Sequence, residues 1–137
     1  MARTKFKVEV LTPEGEVFAD DVEMLSTKTI VGSIGILAGH EPVLAILEPT
    51  ELRLYRAEND TLRFAQAEGY VQFSQDHALI LVEEAIEPRE LDPAKLHERL
   101  EHARGQLQKA AAESEELARA QRDIRRLEAF LQVHENG

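Results

Sequence analysis

Lys5-Phe6-Lys7-Val8-Glu9-Val10-Leu11-Thr12-Pro13-Glu14-Gly15 reads as one β-strand running into a tight turn. Phe6, Val8 and Val10 alternate with Lys5, Lys7 and Glu9, which puts the apolar groups on one face of an extended chain. Pro13 presets φ at the second turn position and Gly15 closes the turn, as a type I turn prefers.

Outward from this stretch the same rhythm continues to residue 87. Further strands are expected at 16–19, 21–29, 43–47, 51–56, 61–67, 70–74 and 78–82, with Gly, Pro, Asn or Asp near most joints. Glu58-Asn59-Asp60 separates Leu52 and Leu54 from Leu62 and Phe64, and Gln75-Asp76 separates Val71 and Phe73 from the run Ala78–Val82. That continuous apolar run reads as buried on both faces. Many short strands at this spacing predict a β-sandwich or barrel. One segment stands apart, GSIGILAGHEPVL from Gly32 to Leu44. Its glycines at 32, 35 and 39 and its Pro42 fit no ordinary strand, and it reads as a shaped docking edge.

The pattern changes at Pro88. Asp92 followed by Pro93 is a helix start, with a carboxylate for the free amides and proline at the first helical position. Leu96, Leu100, Ala103, Leu107 and Ala110 form one helical stripe, and Leu117, Ala120, Ile124, Leu127 and Leu131 a second. Continuing the first stripe would require apolar residues at 114, 121 and 128, where Ser114, Gln121 and Glu128 stand. A break at Ser114, capping a new helix with Glu115 and Glu116 at its positive end, resolves the mismatch. The predicted architecture is a β-sandwich or barrel over residues 1–87 followed by an antiparallel two-helix hairpin over 88–137. Burial of the six leucines and Ile124 of the two stripes does not offset the entropy of ordering the hairpin, so it is expected to depend on what it docks against.

Charge divides unevenly. Residues 1–91 carry 8 basic and 17 acidic side chains, and residues 92–137 carry 8 and 9. An acidic domain repels phosphate backbones and anionic lipid, which argues against nucleic acid or bare membrane as a partner. There is no cysteine, hence no thiolate or disulfide chemistry. The N-terminus runs directly into the first strand with no signal-peptide core, and no apolar run reaches membrane-span length, so a soluble, cytoplasmic protein is expected.

Catalytic templates fail. His97 and His102 are five apart, whereas two zinc ligands on one helical face stand four apart, so no metal site is expected. No GxSxG elbow, dinucleotide fingerprint or phosphate loop occurs. Asp20-Asp21 and Glu83-Glu84 are neighbours that point to opposite faces in a strand. His40, between glycine and proline, reads as loop-shaping or interfacial rather than as a general base. A stand-alone adaptor module and a small hydrolase built on His40 are the competing classes.

Gly35-Ile36-Leu37-Ala38-Gly39-His40-Glu41-Pro42, with Ala67-Glu68-Gly69-Tyr70-Val71 and the element order, closely resembles the epsilon subunit of bacterial F-type ATP synthase over essentially the whole chain. The resemblance implies a noncatalytic subunit of the central rotor stalk that requires no cofactor, peripheral on the cytoplasmic face of the bacterial membrane. Its sandwich would sit against the gamma subunit and the c ring, with Ser33, Gly35, His40, Pro42 and Val43 in the contact region. Many members of that family carry an acidic residue where this chain has Ser33. The resemblance also implies a hairpin that can extend into the alpha and beta subunits and restrain ATP hydrolysis, with Arg119, Arg122, Arg125 and Arg126 as cationic contacts. Four arginines in eight residues suit a charged interface or a solvated face paired with Glu. Some members bind regulatory ATP at Leu-Asp-x-x-Arg-Ala. Here Leu91 and Asp92 match, but Lys95 and Leu96 replace arginine and alanine, which implies weakened binding.

Overall fold

The computed structural model describes residues 3–136. Ten strands form a nearly closed sandwich: β1 (Phe6–Thr12), β2 (Gly15–Val22), β3 (Met24–Thr29), β4 (Gly32–Leu37), β5 (Val43–Leu47), β6 (Thr50–Ala57), β7 (Asp60–Gln66), β8 (Gly69–Ser74), β9 (His77–Val82) and β10 (Ala85–Ile86). One layer runs β10-β7-β6-β3 with β4 beside β3, the other β5-β8-β9-β1-β2, and the pair Thr29–Leu47 joins them. All pairings are antiparallel except β1 with β9.

The alternation expected of the first strand holds. Phe6, Val8 and Val10 enter a core with Phe18, Leu25, Ile36, Leu47, Leu52, Leu54, Phe64, Val71, Phe73 and Ile80. Tight two-residue turns sit where the polar clusters placed them, with Ala57 opposite Asp60 and Ser74 opposite His77. Asn59, Gln75 and Asp76 take positive φ there. A buried polar link crosses the core: Thr27 Oγ1 donates to Gln66 Oε1 (2.7 Å), and Gln66 Nε2 donates to the Glu48 carbonyl (2.9 Å).

Three expectations are corrected. Gly32–Leu37 is an ordinary strand, paired residue for residue with β3 along one edge of its layer; Ile34 and Ile36 turn inward, while Gly32 and Gly39 bracket it at positive φ. The boundary read between 19 and 21 falls at Glu23 instead, because Asp20 and Asp21 continue pairing with Val8 and Lys7. Ala78–Val82 is buried on one face only: Ala78, Ile80 and Val82 are internal, whereas Leu81 faces out. The doubly buried strand is β7, whose Phe64 enters the sandwich core while Ala65 lies beneath the helices.

After a 3-10 turn at Pro88–Glu90, helix α1 (Pro93–Lys109) and helix α2 (Glu115–Asn136) form the hairpin. The Asp92 carboxylate accepts from the Ala94 and Lys95 amides, and Ser114 Oγ accepts from the Leu117 amide at 3.1 Å, so both caps stand where the sequence put them. Leu96, Leu100, Ala103, Leu127, Phe130 and Val133 form a second apolar cluster with Leu91, Ala65 and Ala67. Phe130 and Val133 lie outside the expected stripe, since α2 buries one flank against α1 and another against β6 and β7.

Candidate functional site

Two features of the surface stand out, an apolar face on one layer and a charged corner under the hairpin. Along β5, β8 and β9 the inward residues serve the core, and several of the outward ones are also apolar. Ile46 is the cross-strand partner of Tyr70, and Tyr70 of Leu81, so these three exposed side chains form one row across the sheet. Leu44, 76% exposed, lies two residues along β5 on the same side. The row continues to the β3–β4 turn, where the Ile30 amide donates to the Ile46 carbonyl at 3.0 Å. Val31 at that turn is 91% exposed. A contiguous apolar surface of this kind on a folded domain marks a place where another protein binds.

The residues expected at the interface do not all join this face. Ser33 and Gly35 face outward from β4, opposite Lys28 and Ser26, beside a cleft that the end of α2 reaches through Asn136. His40 and Pro42 lie in the connection to β5, beyond the other end of β4, about 17 Å from its start at the usual rise per residue. The His40 ring packs edge-on against Phe73, its Nδ1 donates to the Glu41 carbonyl at 2.7 Å, and Val43 is half-buried at the start of β5. Sequence reasoning passed over Ile30, Val31, Leu44, Ile46, Tyr70 and Leu81. The available signal was the run of apolar residues at successive positions of β5 and β9, which in β9 reads equally as double burial.

The charged corner is made by Glu68, between β7 and β8, and Glu84, between β9 and β10. Backbone bonds tie the two connections together: the Ala67 amide donates to the Glu84 carbonyl and the Glu83 amide to the Glu68 carbonyl. Into this corner α2 extends Arg126. Its Nε and Nη2 donate to the two Glu68 oxygens at 3.0 and 2.8 Å, and its Nη1 donates to Glu84 at 3.0 Å. Burial alone would raise the Glu68 pKa, but the hydrogen bonds from Arg126 outweigh it and hold the carboxyl below its ordinary range. The four arginines therefore divide. Arg119, Arg122 and Arg125 are exposed and form no ion pair among the described residues, whereas Arg126 is spent inside the molecule.

The nucleotide residues do not converge. Leu91 is buried in the hairpin cluster, Asp92 is occupied capping α1, and Lys95 is exposed. Among the described residues no group of three or more metal-binding side chains comes together, and no helix is long and apolar enough to cross a membrane.

Comparison with known proteins agrees with this architecture. Residues 5–88 match the family model described as the ATP synthase delta/epsilon chain β-sandwich domain. An ATP synthase epsilon chain of Halalkalibacterium halodurans is 36% identical over 126 residues, covering 92% of this chain and 94% of that one. The ATP synthase epsilon chain of Pediococcus pentosaceus is 35% identical, covering 87% of each. In fold, the chain is similar to one in the cryo-EM structure of Euglena gracilis mitochondrial ATP synthase with its c-ring, at a TM-score of 0.76 and 21% identity over 92% of this chain and 79% of that one. Two-layer sandwich, helical hairpin and similarity to curated relatives over nearly the whole chain together show that the chain belongs to the family of ATP synthase epsilon chains.

Proposed function

We propose that this chain is a noncatalytic subunit of the central stalk of a rotary ATP synthase, held at the membrane only through the complex, on its cytoplasmic face. The exposed row Ile46, Tyr70 and Leu81, continued by Ile30 and Val31, carries the reading. A rotor element must transmit torque through its contacts, and a rigid sheet presenting apolar side chains suits a permanent interface with the gamma subunit and the c ring. Ser33 and Gly35, at the neighbouring edge, extend that surface toward the ring. His40 and Pro42 shape the connection that aligns β5.

The hairpin adds regulation. Extended toward the alpha and beta subunits, its arginines would meet acidic surfaces and restrain ATP hydrolysis. For regulatory ATP we infer weak binding, because Asp92 already serves as a helix cap and lysine replaces the arginine fork. Saturable binding of ATP to the isolated chain in calorimetry would contradict that.

The deciding test is hydrolysis by a homologous catalytic head stripped of this subunit, with the full chain or a version ending at Pro88 added back and binding followed in parallel. Inhibition by the full chain alone assigns the brake to the hairpin. Binding by both with equal rates leaves the docking role and removes the brake. If neither binds, the stalk reading is wrong.

A further inference from the structure

At the end of α2 lies a cavity that neither the apolar row nor the charged corner uses. Three segments distant in the chain meet there: the start of β7, the 3-10 turn and the last turn of α2. Its volume is ≈ 460 Å³, the size of a small organic ligand, and Leu62 and Pro88 give it an apolar wall. Its polar groups are donors with capacity to spare. Arg63 places Nε and Nη2 on Glu51, and Arg89 places Nε and Nη2 on Glu87, which leaves Nη1 of each guanidinium without a partner among the described residues. His134 and the Thr61 hydroxyl, also at the cavity, make no side-chain hydrogen bond among the described residues. In a chain of net charge −10 this corner is locally cationic. Arg53, Arg63 and Arg89 stand against only Glu51 and Glu87.

We propose that this cavity binds one oxyanion, the phosphate group of a small organic monophosphate, with the organic part lying on Leu62 and Pro88. Donors converging from three segments suit the tetrahedral oxygens of phosphate, whereas a planar carboxylate cannot engage them all. Free phosphate shares this chemistry but leaves the apolar wall and most of the volume unused. Glu51 and Glu87 limit the charge that the site accepts, so a single phosphate is favoured over a polyphosphate chain. Leu91, Asp92 and Lys95 do not line the cavity, so it is separate from the residues considered for regulatory ATP. Nor does it rest on the stalk reading, because every group belongs to the isolated chain.

The isotope-labelled full chain, in phosphate-free buffer, is titrated with phenyl phosphate, inorganic phosphate and tripolyphosphate while amide chemical shifts are followed. Phenyl phosphate is expected to give saturable shifts confined to Thr61, Leu62, Arg63, Glu87, Arg89 and the end of α2. Its affinity should be about tenfold above that of inorganic phosphate, because its ring covers the apolar wall. Equal affinity for the two would overturn the organic half of the assignment and leave free phosphate as the ligand. Arg89→Gln and His134→Asn should each weaken phenyl phosphate about tenfold, with Arg89→Lys intermediate. Glu87→Gln removes the competing carboxylate and should tighten binding about threefold. Lys109→Gln, the same loss of charge at the far end of the hairpin, should change nothing. No saturable shift below about 10 mM phenyl phosphate, equal weakening by Lys109→Gln, or tighter binding of tripolyphosphate overturns the site. Should the variants fail to fold, shifts of the unsubstituted chain that lie away from the cavity still overturn it.

Discussion

At Gly69 the absence of a side chain is imposed by a neighbour. A Cβ there would lie 1.9 Å from the Leu81 carbonyl oxygen and 2.7 Å from Val82 Cα, so β8 and β9 can pair at this register only with glycine. Gly69→Ala is expected to cost roughly 2–4 kcal/mol in urea unfolding, because backbone rather than a flexible side chain must move. Gln66 shows the opposite case, a polar group the core retains. Replacing it with leucine leaves the Thr27 hydroxyl and Glu48 carbonyl without their partner and should cost about 1–3 kcal/mol; pairing it with Thr27→Val should recover part of the loss. The two arginines opposite each other on β6 and β7, Arg53 and Arg63, would repel, and Glu51 removes the conflict by accepting from both. Burial works to raise the Glu51 pKa, and the hydrogen bonds from Arg63 and Arg53 lower it overall.

Among elements, the hairpin is the one whose position depends on charge. Glu68 faces Arg126 and Arg122, with Glu84 and Arg99 completing the corner. Its docked pKa lies below the ordinary 4.5, so its contribution to docking is complete above that value. The contribution is lost as pH falls through the lower, docked value. Protection of hairpin amides from hydrogen exchange should therefore be level from neutrality to about pH 5 and decline only in more acid solution. A loss of protection between pH 7 and pH 6 would show that another group governs docking. Helix starts and the break at Ser114 were legible from sequence, because capping is local: acceptor and amide are separated by two or three residues. The Arg126 contact was not, because Arg126 and Glu68 are 58 residues apart and nothing local links them.

For the whole molecule, the two layers carry different loads. The β6–β7 side is covered by its own hairpin, while the β5-β8-β9 side presents its apolar row to a partner. Ile46→Glu and Leu81→Glu should leave the unfolding free energy within about 0.5 kcal/mol of the parent, since both side chains point outward. Each should weaken association with a gamma-containing head at least about tenfold in a pull-down titration, because a charge would be buried at the interface. Association at parental strength would move the docking face elsewhere. Alternating strands, polar turns, helix caps and the out-of-phase stripes were all present in the sequence, because each depends on residues a few positions apart in the chain. The strand at Gly32–Leu37 emerged only with β3 beside it to accept its pairing. Likewise, the apolar run Ala78–Val82 of β9 says that both faces shun water, and not which face the molecule covers itself. That choice follows from where the hairpin packs and where Arg126 finds its carboxylates, both of which are contacts between segments distant in the chain.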